Sequence, residues 1–571
     1  MLKKNKLRYN EYYDMQHIYD ELYAQSKNGN NFYKLLEIIG SEQNICLAYR
    51  NLKSNSGSKT AGTDGMTIDD IKQLSNAEIV ATVRESLSNY RPKSVRRVFI
   101  PKAGSDKMRP LGIPCIWDRL VQQCILQVLE PICEPKFHNH SYGFRANRSA
   151  HHAVSRVTTL INLSKYHYCV DVDIKGFFDN VSHGKLLKQL WTIGIQDKKL
   201  ISIISAMLKG EIAEIGFPEK GTAQGSIISP LLSNVVLNEL DWWIASQWEF
   251  MPTRHVYKEA IKANGTQSKS KKYRALRNST LKECFIVRYA DDFKIFCRKH
   301  KDAVVMFEAT KQWLKTRLGL DISPEKSKIV NLKHSYSEFL GFRIKVHKKG
   351  KDTKCKPPVD KYVVKSHISE KALKKIKTNA KERIIAIQKT NGSRAGEYAI
   401  RDYNSFVMGM QNYYSMATCV NPDIQTLAYE IKTSIKIRLN TRVKRRTNEA
   451  LTPYLSERYG KSKELRFING VPLVPIGYVQ HRVPLHKKAV VNKYTAEGRK
   501  EIHKQLETVD IERVHELMRN PISNETVEFN DNCVSLFVAQ RGKCAICKLP
   551  LTLENMRCVR KIPKACGGDD K

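Results

Sequence analysis

No stretch of this chain reaches the roughly 18 consecutive apolar residues that a membrane helix requires, so the sequence offers no spanning segment. Met1 to Asn10 is Lys-rich with no apolar run behind it, so no secretory signal is expected there. Acid is scarce: 57 Asp and Glu stand against 97 Lys and Arg, for a net charge of +40. An excess of that size points to a polyanionic partner, nucleic acid first, over the plainer reading of an ordinary basic protein. The 14 cysteines form no tight framework, and Cys544 and Cys547 make the one short-spaced pair. Free thiols in a reducing, cytosolic protein are expected. Internal repeats and long low-complexity tracts are also missing. What is present is 571 residues, 41% of them hydrophobic, enough for three or four domains with real cores.

Local patterns place the elements. Val121, Ile125, Val128 and Ile132 recur at steps of four, three and four, predicting a helix over Asp118 to Pro135. Tyr166 to Asp173 alternates as a strand, with Tyr168, Val170 and Val172 on one face and Cys169, Asp171 and Asp173 on the other. Cys284 to Arg298 reads as a hairpin, two apolar runs flanking a turn near Ala290-Asp291-Asp292. Arg254 to Lys282, with nine Lys or Arg and one acid, Glu259, is expected to be a loop or loose helical pair, solvated or in contact with RNA. From about Lys361 to Asn448 the pattern is helical and strongly basic, and Gly470 to Val490 suits a linker or small strands. Thr495 should cap a short helix running to Leu506, and Cys533 to Lys571 reads as a separate Cys-bearing unit.

The chemistry centres on carboxylates. Transfer of a nucleotidyl group from a triphosphate needs two divalent cations about 3.5–4 Å apart, and hard Mg²⁺ prefers carboxylate oxygens. Asp173 closes one strand, and Asp291 and Asp292 form the tip of a distant hairpin, so only a fold could join them. Alone, Asp291-Asp292 is more often a solvated hairpin tip, and Asp171 with Asp173 could be an exposed strand face. Together they frame an ordered series. Asp173-Ile174-Lys175-Gly176-Phe177-Phe178-Asp179 precedes Gly221-Thr222-Ala223-Gln224-Gly225-Ser226. Ile227-Ile228-Ser229-Pro230-Leu231-Leu232-Ser233-Asn234 and then Tyr289-Ala290-Asp291-Asp292 follow.

That order resembles the palm of reverse transcriptases, most closely those of group II intron-encoded proteins. Gly62-Thr63-Asp64-Gly65-Met66-Thr67 resembles the family's N-terminal block. Arg97-Val98-Phe99-Ile100-Pro101-Lys102, Met108-Arg109-Pro110-Leu111-Gly112-Ile113-Pro114 and Ser141-Tyr142-Gly143-Phe144-Arg145 resemble the blocks that follow, and Pro324-Glu325-Lys326-Ser327-Lys328 and Phe339-Leu340-Gly341-Phe342 close the palm. The resemblance implies that Asp173, Asp291 and Asp292 hold two Mg²⁺ ions, helped by the Ile174 carbonyl. It implies that Lys102 and Arg109 grip a deoxynucleoside triphosphate, and that Gln224 lies beside it. Phe178, with Phe177 as rival, would be the gate against a ribose 2′-OH. Lys326 or Lys328 could protonate the leaving pyrophosphate. Ala223 stands where the family usually has Pro, and Ser226 where it has a second Gly; both are small enough to preserve the turn.

Gly409-Met410-Gln411-Asn412-Tyr413-Tyr414 resembles the signature of the family's thumb-like maturase domain, which binds the parent intron RNA. Tyr413 and Tyr414 would stack on bases, and Arg442, Lys444, Arg445 and Arg446, near Arg438, would meet phosphates. Asn492-Lys493-Tyr494-Thr495 with Gly498-Arg499 resembles the start of its DNA-binding region. Arg541-Gly542-Lys543-Cys544-Ala545-Ile546-Cys547 resembles half of an HNH endonuclease, whose Cys544 and Cys547 could supply half of a zinc site. Val559 and Arg560 stand where the resembling proteins carry a His-His pair, no histidine follows His515, and the second cysteine pair would lie past Lys571. At most weak zinc binding and no DNA cleavage are expected.

The expected fold is α+β, a right-hand polymerase. Fingers and palm would occupy 1–345, an α-helical thumb or maturase domain 346–460, a DNA-binding region 461–530, and a partial HNH-like segment with a zinc-knuckle-like loop 531–571. The expected function is RNA-directed DNA synthesis joined to splicing and mobility of a group II intron, with intron RNA and target DNA as partners and no membrane. The alternatives are a splicing-only maturase and a reverse transcriptase recruited to defence or repair.

Overall fold

Two helices near the N-terminus, α1 (Gln16–Lys27) and α2 (Glu42–Lys53), lie against α3 (Ile116–Cys133), the helix predicted from the apolar spacing. Leu120, Val121, Cys124, Ile125, Val128, Leu129 and Ile132 of α3 are all buried. The computed structural model describes residues 9–101, 108–258, 260–261, 267–352, 357–390, 394–445, 451–503, 510–547, 549–552 and 554–560. Before α3 comes an antiparallel hairpin, β1 (Arg96–Pro101) and β2 (Met108–Ile113), whose outer ends are exposed.

The central sheet is built on β3 (Tyr168–Val172). β3 runs antiparallel to both β5 (Asp292–Cys297) and β6 (Lys328–Asn331), and β4 (Cys284–Tyr289) completes the order β4-β5-β3-β6. Helix α4 (Ser229–Ser246) packs on β4. β-branched and aromatic residues fill these strands because side chains alternate across a pleated sheet: Val170, Ile286, Ile295 and Phe293 are buried.

A second sheet follows, with order β9-β8-β7: β7 (Ser337–Phe339), β8 (Phe342–Asp352) and β9 (Val359–Ile368). Three long helices come next, α5 (Glu370–Lys389), α6 (Arg394–Tyr414) and α7 (Val420–Leu439). The helical region therefore begins at Glu370. Residues 361–368 form a strand, since Tyr362, Val363 and Val364 pair with Lys348, His347 and Val346 and tertiary pairing overrides the basic, helix-like composition. The boundary expected at 345/346 falls inside β8.

The chain then runs through the small hairpin β10 (Arg466–Ile468) and β11 (Val471–Leu473) to α8 (Ala496–His503), with Thr495 Oγ1 accepting from Gly498 N at 3.2 Å as expected of a cap. The last helix among the described residues is α9 (Val527–Ala539). It crosses the boundary expected at 530/531 and is joined to the N-terminal helices. Asp531 takes Arg50, Lys53 and the Tyr13 hydroxyl as partners, and Glu528 accepts from Tyr49 and Lys53. Arg499 meets Asp20, and Lys493 meets Glu130 at 2.8 Å. The C-terminal segments thus fold back on α1, α2 and α3. Buried charges of this kind persist only when paired and hydrogen-bonded, as these are. Between Arg254 and Lys282 the described residues form two short paired strands, Ala260–Ile261 and Gln267–Ser268, and a helix, Ser270–Arg277. No helix among the described residues is long and apolar enough to cross a membrane.

Candidate active site

The register of the central sheet joins the carboxylates. Val172 pairs with Phe293 as the last β3–β5 pair, so one step further Asp173 lies across from Asp292, while Tyr289 pairs with Asp292 to close the hairpin. The turn is tight, with Ala290 at φ +59°. It is also pressed against another backbone: a Cβ on Gly143 would stand 2.3 Å from the Ala290 nitrogen. Only glycine permits that approach, which gives Ser141-Tyr142-Gly143-Phe144 its place in the architecture. Asp173 is fixed through its backbone, its nitrogen donating to Ser327 Oγ at 3.1 Å and its carbonyl accepting from Ser323 N at 2.7 Å.

The carboxylates crowd one another. Burial, then the neighbouring Asp173, raises Asp291. Burial raises Asp292 to about 6, with Asp171, Asp291 and Asp173 adding to the shift and Lys294 opposing it. Lys326 Nζ lies 3.1 Å from Asp173 Oδ2, and Arg109 opposes part of the rise of Asp291. Among the described residues, no three His, Cys, Asp or Glu side chains converge closely enough to enclose a metal ion. The donor set nonetheless suits a divalent cation: oxygen ligands only, with mutual repulsion that a cation would relieve.

Two buried networks beneath the turn escaped the sequence reading. Lys294 Nζ donates to Asp171 Oδ1 at 2.8 Å, and Ser337 Oγ lies 2.9 Å from the same oxygen. The alternation of β3 had placed Asp171 on the face of Asp173, but nothing local named Lys294 as its partner. Arg288 is wholly buried. It donates to both oxygens of Asp241, to Asn234 Oδ1 at 3.0 Å and to the Ala290 carbonyl at 2.9 Å. Asn234 in turn donates to the Gly143 carbonyl at 2.9 Å. An Arg directly before the Tyr289 turn was the available signal, and its partners lie on α4.

Other expected residues surround the turn. Arg109 pairs with Ile100 on the exposed β1–β2 hairpin, and Lys102 lies outside the described residues. The Gln224 carbonyl accepts from Gly112 N at 2.9 Å, holding the Ala223-Gln224-Gly225 loop on β2. Gly225 has φ +129°, and a Cβ there would stand 2.5 Å from the Gly112 carbonyl oxygen. Ser226, where the family has glycine, is buried with its hydroxyl 2.7 Å from Gln122 Oε1, so the turn accommodates it. Phe177 is core, 2% exposed, whereas Phe178 is only partly buried, its carbonyl accepting from Thr222 N at 2.7 Å. Ile174 is buried and bridges to Ile322.

The maturase-like residues divide. Tyr413 and Tyr414 turn toward the palm: Tyr413 stacks on Phe342 at 5.7 Å and donates to the Leu340 carbonyl at 3.0 Å, and Tyr414 packs 5.3 Å from Phe342. These rings lock α6 to the Phe339-Leu340-Gly341-Phe342 turn, where base stacking was expected. Arg442 donates to the Ile387 carbonyl at 2.8 Å, at the C-terminal turn of α5, where a cation suits the helix dipole. Lys444 bridges to Phe467, and Arg445 beside it is exposed; Arg446 lies outside the described residues. In the tail, Ile546 N donates to Cys544 Sγ at 3.4 Å, and Cys547 is exposed.

A sheet with this hairpin, framed by a glycine-rich loop and a basic finger, defines a nucleic-acid polymerase palm, and residues 100–344 match the family model described as reverse transcriptase (RNA-dependent DNA polymerase). The chain is 32% identical over 420 residues to the group II intron-encoded protein LtrA of Lactococcus lactis subsp. cremoris, covering 66% of this chain and 69% of that one. It is 32% identical over 320 residues to protein YkfC of Escherichia coli strain K12, covering 54% and 82%. Nuclear intron maturase 2, mitochondrial, of Arabidopsis thaliana is 29% identical over 173 residues, 23% of each chain. The chain belongs to the family of group II intron-encoded proteins.

Proposed function

We propose that this chain copies RNA into DNA and also binds a group II intron RNA, promoting its splicing and its insertion into target DNA. The observation that carries the reading is the register that sets Asp173 across from Asp292 at the tip of a hairpin already holding Asp291. Those three carboxylates would hold two Mg²⁺ ions, which when bound supply the Lewis acidity for attack of a primer hydroxyl on the triphosphate. Arg109, from the fingers hairpin, holds the triphosphate together with Lys102, and the backbone at Gln224 fixes the floor of that pocket. Phe178 presents its ring where a 2′-OH would fall, since Phe177 is committed to the core. Lys326, paired with Asp173, is free to leave that carboxylate for the pyrophosphate.

Residues 346–460 are the thumb and maturase region, its helices beginning at Glu370, and the basic surface around Arg445 meets intron RNA. The tail lacks nuclease activity, and any zinc held by Cys544 and Cys547 is weakly bound. A splicing-only role is the lesser reading, because the carboxylate set is complete. Asp291→Ala decides between them. We expect primer extension on an RNA template to fall to background while RNA affinity stays unchanged. Extension at the wild-type rate would refute the assignment.

A further inference from the structure

The strip of chain between β11 and α8 is fastened at two places. Ser155, on the helix Ala150–Ser164, holds His486, with Oγ 2.8 Å from Nδ1. Further on, Lys493 meets Glu130 at 2.8 Å, and the Tyr494 ring stacks on Tyr23 of α1 at 5.5 Å. Between these fastenings, Lys487 and Asn492 close a cavity of about 140 Å³ against Glu134, Asn139, Asn147 and Arg148. A water takes up roughly 30 Å³ of liquid, so the space is that of about four waters. Pockets for whole small molecules begin at roughly 300 Å³. This one has room for a single polar group.

Its charge is unbalanced. Glu134 is the one acid among the residues that line it. That carboxylate is already taken, because Arg145 Nε and Nη2 each donate to it at 2.9 Å. Arg148 reaches it only at 3.7 Å. The Arg148 side chain is 5% exposed, its Nη1 donates to the Asn139 carbonyl at 2.6 Å, and its Nη2 has no hydrogen bond among the described residues. Lys487 is partly buried, with neither a hydrogen bond nor an ion pair among the described residues. Burial, then the charge of Arg145, lowers Arg148 to about 10, and burial, then the charge of Arg148, lowers Lys487 to about 8. Three cations thus stand around one carboxylate. Buried charge is stable when paired, and an anion between Arg148 and Lys487 would restore the balance.

We infer that this cavity binds one phosphate group, held by the Arg148 guanidinium and the Lys487 ammonium, with Asn147 and Asn492 alongside. A guanidinium and an ammonium together suit a tetrahedral oxyanion through charge-assisted hydrogen bonds. The group belongs to a nucleic-acid strand or is free phosphate, and the chemistry recognised is the same. Only the first source rests on the proposed function, to which it adds an anchor for the strand outside the carboxylate hairpin.

The test uses the full chain. Lysine acylation followed by peptide mass spectrometry reads Lys487 directly, with Lys493, paired to Glu130, as internal reference. Sodium phosphate should suppress labelling of Lys487 and spare Lys493, compared with sodium chloride at equal ionic strength. An RNA hairpin supplies the other arm. With a strand as the source, the hairpin also protects Lys487, and Lys487→Gln lowers the slope of log affinity against log salt by about one. With free phosphate as the source, phosphate alone protects and the slope is unchanged in the variant. Labelling of Lys487 that neither phosphate nor the hairpin suppresses would overturn the inference. So would protection by the hairpin alone with an unchanged slope, which is coverage without a phosphate contact. A chain that extends primers while Lys487 stays open to labelling loses only this inference; one that binds no RNA and extends no primer loses the proposed function, whatever phosphate does at Lys487.

Discussion

Arg288 and Asp241 form an ion pair with Nη2 and Oδ2 2.7 Å apart and both side chains fully buried, and the same guanidinium donates to the Ala290 carbonyl in the turn that carries Asp291. The pair is therefore a strut between α4 and the turn. Breaking one side strands a buried charge, so Asp241→Ala should cost roughly 3–5 kcal/mol in urea melts. Replacing both, Arg288→Met with Asp241→Leu, should recover most of that stability. Primer extension should remain impaired, because the Ala290 carbonyl has lost its donor. A double variant that extends at the wild-type rate would show that the strut serves stability alone.

Sugar selection provides a second test. Phe178 is the less buried member of the pair, and its ring meets that of Phe177 edge-on at 5.3 Å. Phe178→Val should raise ribonucleotide incorporation by roughly one to two orders of magnitude, with deoxynucleotide use reduced far less. The same change at Phe177 should instead lower the melting temperature. Competition between matched ribo- and deoxynucleotides measures the first effect, and unchanged discrimination would place the gate elsewhere.

Acid should weaken the fold in a defined window. His138 is buried edge-on to Trp242, and burial, followed by the charge of Arg145 and its neighbours, lowers it to about 3. An unfolded histidine titrates near 6.5. The unfolded chain therefore binds the proton first as pH falls. The stability His138 confers is complete above about 6.5 and is lost progressively toward about 3, at up to roughly 1.4 kcal/mol per pH unit. His152 and His167, each lowered to about 4 by burial, act in the same direction. Melting temperature should fall between pH 7 and pH 5, and His138→Gln should make that slope shallower by about one proton. Parallel slopes would remove His138 from the account.

The tail should not cut DNA. Arg560 stands where related nucleases carry a histidine. It donates to Glu525 at 3.0 Å and lies 4.1 Å from the ring of Phe529, so it serves as a packing cation. Incubating the protein–RNA complex with labelled double-stranded target DNA and Mg²⁺ should yield no protein-dependent nick on the strand opposite insertion. A nick lost on mutating residues of the tail would reverse this.

The local code carried much of the architecture. Alternation gave β3, paired apolar runs gave the β4–β5 hairpin, and a three–four spacing gave α3, because each reports which face of one element is buried. The carboxylates were legible only in combination: Asp is common in turns, and the ordered series of motifs around Asp173, Asp291 and Asp292 singled them out as candidates. Partners distant in sequence were not legible. Nothing near Arg288 names Asp241, nothing near Lys294 names Asp171, and nothing in the tail announces that Asp531 will meet Arg50 and Tyr13. The strand at 359–368 carried a basic, helix-like composition, and only its pairing with β8 decided its form. Tyr413 and Tyr414 read as stacking platforms, and only the fold shows that both also pack against Phe342. Sequence by itself determined most of the elements and the candidate reactive groups, since these follow from periodicity and residue chemistry. The tertiary structure decided which buried charges neutralise one another and which aromatic faces stay open, since both depend on contacts that form only when distant segments pack.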